Sequence, residues 1–191
     1  MKVIFLDIDG VMNCQEEMLE LYHKNGSSSD NTLPSPTKCK LLKKLVDVTG
    51  AEIVLSSSWR LSLSSIQTVI DTFRPYKLRL DGFTQEGVLQ SRFIGTKYEN
   101  IKPKYTHNCY DPYVPNYEGT CIEDRGAEIA YWLIKHPEVT NFVILDDESS
   151  DIIDWLPDNL VKTNLYSGLT EKEVLKCTEI LGETYENCQN N

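Results

Sequence analysis

The chain has 191 residues, with 19 Lys and Arg against 29 Asp and Glu, a formal net charge of −10. Hydrophobic residues make up 40% and charged residues 25%, the balance of an ordinary globular protein, which excludes collagen-like, coiled-coil and mostly disordered architectures. The length suits one domain with a modest insertion, and the acidity makes the chain a poor non-specific binder of nucleic acid, leaving a local basic pocket as the route to phosphate.

No apolar run approaches the roughly 18 residues of a membrane span. The opening Met1-Lys2-Val3-Ile4-Phe5-Leu6 meets an acid too soon to be a signal peptide. A cytoplasmic, intracellular protein with no membrane contact is therefore expected. The six cysteines (Cys14, Cys39, Cys109, Cys121, Cys177 and Cys188) contain no CxxC pair and accompany three histidines, which argues against structural zinc and for free thiols.

Lys2-Val3-Ile4-Phe5-Leu6 reads as a buried strand. Residues 14–35 are polar and read as a loop or flap. Ser35-Pro36 then opens a helix whose apolar face is Leu41, Leu42, Leu45 and Val46 and which Gly50 ends. A second buried strand, Glu52-Ile53-Val54-Leu55, runs into Ser56-Ser57-Ser58-Trp59-Arg60, and Ile66, Val69, Ile70 and Phe73 mark a helix stopped by Pro75.

From about Tyr76 to Gly119 no clean period appears, and residues 97–119 read as a small insertion. Its tyrosines (Tyr98, Tyr105, Tyr110, Tyr113, Tyr117) beside Lys97, Lys102 and Lys104 suit stacked bases, yet Glu99, Asp111 and Glu118 dilute the charge. Packing of an irregular loop is the simpler reading. A helix resumes over Arg125 to His136, then a third buried strand, Phe142-Val143-Ile144-Leu145, runs into Asp146-Asp147. Leu160-Val161 begins a candidate fourth strand, and Thr170-Glu171-Lys172-Glu173 is a capping box for a helix over 171–181. Alternating strands and helices, with the strands apolar throughout, predict an α/β fold with a mostly parallel sheet covered on both faces.

In open parallel sheets ligands bind outside the carboxyl ends of the strands. Three apolar strands here end in Asp7-Ile8-Asp9-Gly10, Ser56-Ser57 and Asp146-Asp147. A spacing of two along extended chain puts Asp7 and Asp9 on one side. Two acid clusters meeting in one crevice repel unless a cation lies between them, and hard carboxylate oxygens favour Mg²⁺. Strand-end hydroxyls and backbone N–H groups suit phosphate oxygens. An EF-hand is excluded, because Val11 and Met12 stand where a calcium loop needs a ligand and a glycine.

Phe5-Leu6-Asp7-Ile8-Asp9-Gly10-Val11, Ile53-Val54-Leu55-Ser56 and Ile144-Leu145-Asp146-Asp147 resemble motifs I, II and IV of the haloacid dehalogenase (HAD) superfamily. The finer pattern, Ser56-Ser57-Ser58-Trp59-Arg60 with Arg125-Gly126-Ala127-Glu128-Ile129 and Trp132-Leu133, is similar to the HAD domains linked to Swiss Army Knife RNA-repair proteins.

That resemblance implies a single HAD-like, Rossmann-like three-layer domain over 1–191 and a Mg²⁺-dependent phosphatase working through an aspartyl-phosphate. Asp7 matches the nucleophile and Asp9 the general acid and base, while Ser56 matches the phosphoryl-binding hydroxyl. Ser57 and Arg60 are further substrate-binding candidates. Asp7, Asp9, Asp146 and Asp147 are the metal candidates, with Asp151 as a helper. The usual lysine or arginine of motif III has no clear match. Arg125 at a helix start is the choice, with Lys102 and Lys104 as rivals. The implied substrate is a phosphorylated small molecule or nucleotide, or a nucleic-acid end. The alternative is a HAD-fold protein that binds phosphorylated ligands or a partner without turnover.

Overall fold

The computed structural model describes residues 1–25, 33–110 and 118–183. Along the chain the elements are β1 (Lys2–Leu6), α1 (Gln15–Asn25), α2 (Pro36–Thr49), β2 (Glu52–Leu55), α3 (Leu63–Phe73), β3 (Gly82–Phe83), β4 (Val88–Leu89), β5 (Thr106–Tyr110), β6 (Glu118–Ile122), α4 (Arg125–Lys135), β7 (Asn141–Asp146), β8 (Leu160–Lys162) and α5 (Glu171–Ile180). β1 lies at the centre of a sheet ordered β3-β2-β1-β7-β8, in which every neighbouring pair is parallel. The chain moves out from β1 to one edge and later builds the other side, so the winding reverses beside β1.

Side-chain alternation in the strands sorts the core into two layers. Ile4 and Leu6 of β1 join Leu42 and Leu45 of α2, Val69 and Phe73 of α3, and Val174 and Cys177 of α5. Val3 and Phe5 join Ala127, Ile129 and Ala130 of α4 on the opposite face. The Phe5 ring meets Trp132 edge-on at 5.2 Å and Phe142 at 5.9 Å. This is the α/β arrangement expected from the apolar strands.

The helix signals read from the sequence act as expected. The Ser35 hydroxyl accepts the Lys38 N–H at 3.1 Å, and Gly50 closes α2 in the left-handed region at φ +63°. Thr170 and Glu173 form a reciprocal capping box on α5.

The irregular stretch is a second, antiparallel sheet ordered β4-β6-β5. It begins at Val88, before the boundary at residue 97 that the pattern suggested, because a two-residue strand carries no period. Val88, Phe93, Tyr98 and Ile122 pack with the α4 layer, and Phe93 lies 5.0 Å from the Trp155 ring. Tyr98 is thus a packing residue, whereas Tyr105 is exposed; Tyr110, Tyr113 and Tyr117 lie outside the described side chains.

Two expectations change. Residues 15–25, read as polar loop, form α1, with Glu16 and Glu17 favourably placed in its first turn. Its apolar residues Met18, Leu19, Leu21 and Tyr22 are largely exposed, so no buried stripe marked it in the sequence. Cys121 is disulfide-bonded, which corrects the free-thiol expectation for that residue. Cys14, Cys39 and Cys177 are free and buried, while Cys109 and Cys188 lie outside the described side chains.

Gly126 in the first turn of α4 is set by close packing. A Cβ there would lie 2.7 Å from the Asp151 carbonyl oxygen and 2.7 Å from Trp155 Cβ. Gly126→Ala should therefore cost about 2 kcal/mol of stability through overpacking, measured by urea unfolding.

Candidate active site

Three strand ends converge at one edge. The Asp7 N–H donates to the Leu145 carbonyl at 2.9 Å and the Ser56 N–H to the Leu6 carbonyl at 2.9 Å, so the ladder continues one residue past β1 and β2. Asp146 is the last residue of β7. Beyond Asp7 the chain turns at Gly10, with φ +70°. A Cβ at Gly10 would lie 2.4 Å from Asp147 Cγ, so both the turn and the approach of that carboxyl require glycine. Thr163 Oγ1 ties the turn down by donating to the Gly10 carbonyl at 2.8 Å.

Asp7, Asp146 and Asp147 each bring one carboxylate oxygen to within 4.8 Å of the others. Arg125, 118 residues from Asp7 in sequence, stands against them. Its Nη1 donates to Asp7 Oδ1 at 2.9 Å and to the Ser56 carbonyl, and lies 3.3 Å from Asp146 Oδ2. Burial opposes the Arg125 charge, but Asp146 and Asp7 outweigh it and raise the pKa.

Burial pushes Asp146 up to about 8, with Arg125 opposing and Asp7 adding to the rise. Burial and then Asp7 also raise Asp147. Among the described residues, Asp146 Oδ2 is a buried oxygen that accepts no hydrogen bond. Beyond its ion-pair contact with Arg125, this oxygen is open to the bond that a cation would provide. Hard oxygens, one of them unsatisfied, fit a divalent ion of the Mg²⁺ kind, which Asp7, Asp146 and Asp147 could hold.

Asp9 lies outside that cluster and is exposed. Its Oδ1 accepts from Asn13 Nδ2 and its Oδ2 from Trp59 Nε1, both at 2.9 Å. Ser56 and Ser57 are buried at the strand end. Ser57 Oγ caps the short 3₁₀ turn Ser58–Leu61 by accepting the Trp59 N–H.

Arg60 is committed to the protein interior. It donates to the Thr84 carbonyl at 3.1 Å, the Ser57 carbonyl at 2.7 Å and Glu128 Oε2 at 2.6 Å. Burial lowers its pKa and raises that of Glu128. Asp151 accepts the Arg125 N–H at 2.9 Å and so caps α4. Lys104 pairs with Asp154 at 3.4 Å and Lys102 is exposed; of the three motif III candidates, Arg125 is the one in contact with Asp7.

Sequence reasoning missed Asn13, and used Trp59 and Glu128 only as parts of a pattern. Trp59 and Arg60 directly after the serines, and Glu128 three residues after Arg125, were the available signals.

A family model described as the HAD domain in Swiss Army Knife RNA repair proteins matches residues 3–174. The chain belongs to this family. No curated protein and no solved structure matches the chain. No helix among the described residues is long and apolar enough to cross a membrane.

The raised Asp146 pKa has a consequence for stability. The folded state holds a proton there that the unfolded carboxyl has already lost above its ordinary value of 3.8. With a chelator present, this group's contribution should fall as pH rises from about 4 to 8. Melting temperatures across that range should show the decline in the native protein and a flatter profile in Asp146→Asn.

Proposed function

We propose that this HAD domain is a Mg²⁺-dependent phosphatase that removes a phosphoryl group from a nucleotide or an RNA end through an aspartyl-phosphate. The observation that carries this reading is the Asp7 carboxylate held by Arg125 beside Asp146 and Asp147 at the sheet edge where the winding reverses. The RNA-end substrate rests on the description of the family.

The chemistry follows from the residues in place. Arg125 fixes Asp7 with one oxygen engaged, leaving the other to attack phosphorus. Asp7, Asp146 and Asp147 would hold Mg²⁺, whose charge offsets repulsion between an anionic nucleophile and an anionic phosphate. Ser56 and the backbone N–H groups after it would hold the phosphoryl oxygens. As the bond from phosphorus to the leaving oxygen breaks, Asp9 gives that oxygen a proton. Asp9, now a carboxylate, then takes a proton from water, whose oxygen attacks phosphorus and breaks the bond to Asp7. The products are inorganic phosphate and the regenerated Asp7 carboxylate.

The test is phosphate release, with and without Mg²⁺, from an aryl phosphate, ribonucleoside monophosphates and oligoribonucleotides phosphorylated at either end. Release should require Mg²⁺ and fall on the order of 10³-fold or more in Asp7→Asn, with the melting curve retained. An active Asp7→Asn protein would overturn the nucleophile. Ligand binding without turnover across the panel would overturn the enzyme in favour of a binding protein.

A further inference from the structure

Asp9 is the one matched aspartate outside the carboxylate cluster, and the structure holds it by side chains from two directions. Asn13 lies four residues on, across the Gly10 turn. Its Oδ1 accepts the Gly10 N–H at 3.2 Å, which leaves its Nδ2 to face Asp9 Oδ1 at 2.9 Å. Trp59 comes from the β2 end of the edge. Its ring is packed against the core layer of α2, α3 and α5, and its Nε1 reaches Asp9 Oδ2 at 2.9 Å.

We propose that Trp59 and Asn13 are positioning residues that fix the Asp9 carboxyl, one hydrogen bond to each oxygen, in the orientation from which it serves the leaving oxygen. This rests on the phosphatase reading above.

Both partners are donors towards Asp9. An indole N–H cannot accept, and the acceptor of the Asn13 amide is already engaged by Gly10. Both therefore hold the carboxyl as donors and neither competes with the substrate's leaving oxygen as an acceptor. When the phosphorus–oxygen bond breaks, the electron pair stays on that oxygen, the proton follows, and the two donors remain bonded to the carboxylate left behind.

The grip also joins two strand ends. Ser56 follows β2, the Ser57 hydroxyl caps the turn that presents Trp59, and Trp59 holds the acid that follows β1. Asp9 is exposed and would otherwise sample several rotamers against water. Misplacing a reacting group by about 1 Å can cost on the order of 10²-fold.

The experiment uses leaving-group dependence, which a merely structural residue would not alter. A nitrophenolate leaves without help from an acid, whereas a ribose oxygen needs a proton. Trp59→Phe deletes the N–H and keeps an aromatic ring; Asn13→Ala removes the other bond and guards against a folding defect peculiar to the first variant. Release of the leaving group in a single turnover is followed for 4-nitrophenyl phosphate and for a ribonucleoside monophosphate, with melting curves alongside.

Each variant should slow nucleoside release by about tenfold to a hundredfold and nitrophenolate release by less than about threefold, with KM little changed. Equal slowing of both substrates, or slowing of neither, would overturn the positioning role while the phosphatase reading stands. A native protein that releases nothing from either substrate would overturn that reading and this inference together.

Discussion

The site is organised by a concentration of like charge. Three carboxylates approach within 4.8 Å of one another at the end of a buried sheet, with a single guanidinium bonded to one and close to another. At an effective dielectric of about 20, each pair of full charges at that distance repels by roughly 3 kcal/mol. The fold relieves this through Arg125, through the raised affinity of Asp146 for a proton, and through the unsatisfied Asp146 Oδ2, which suits a cation. The parts nearest the edge follow from that balance. Gly10 exists to let the Asp147 carboxyl close in, and α4 begins where it does to place Arg125.

The start of α4 is correspondingly well anchored. Asp124, nearly fully buried, accepts the N–H groups of Lys104 and Tyr105 and the Trp155 indole. Glu128 accepts the Gly87 N–H at 2.8 Å and pairs with buried Arg60. One turn of helix thus fastens the antiparallel insertion, at residues 87 and 104–105, to the strand end that carries the serines. A buried ion pair such as Arg60–Glu128 returns little net stability after desolvation. Its effect here is geometric, since it fixes α4 against the β2 end and so fixes the distance from Arg125 to Asp7.

The strand ends were legible because local pattern carries them. Apolar runs at Lys2–Leu6, Glu52–Leu55 and Asn141–Asp146 end abruptly in Asp or Ser, and a parallel sheet must bring such ends to one edge. Arg125 could be chosen for its place at a helix start, but its bond to Asp7 spans 118 residues and belongs to tertiary packing. The same holds for Trp59 and Asp9, 50 residues apart. Arg60, beside the serines, reads as a phosphate ligand, and in the structure its Nε, Nη1 and Nη2 each donate inward, to Thr84, Ser57 and Glu128, a tertiary arrangement that the local pattern does not carry. α1 escaped notice because its apolar side chains are largely left in water, and the insertion because β4 is two residues long.

On the phosphatase reading, the electrostatics favour one kind of phosphate over another. A chain of net charge −10 repels a polyanionic strand, but at physiological salt that repulsion is screened beyond about 8 Å. What decides binding is then the charge met inside the crevice. A phosphate monoester carries about −1.5 to −2 near neutral pH, whereas each backbone diester carries one charge. Arg125 and a cation held by Asp7, Asp146 and Asp147 would therefore stabilise a terminal monoester more than an internal diester, while the acidic exterior offers the rest of the strand nothing to hold. On that reading, an acidic protein whose recess is balanced by Arg125 and a bound cation would suit the ends of nucleic acid better than its length.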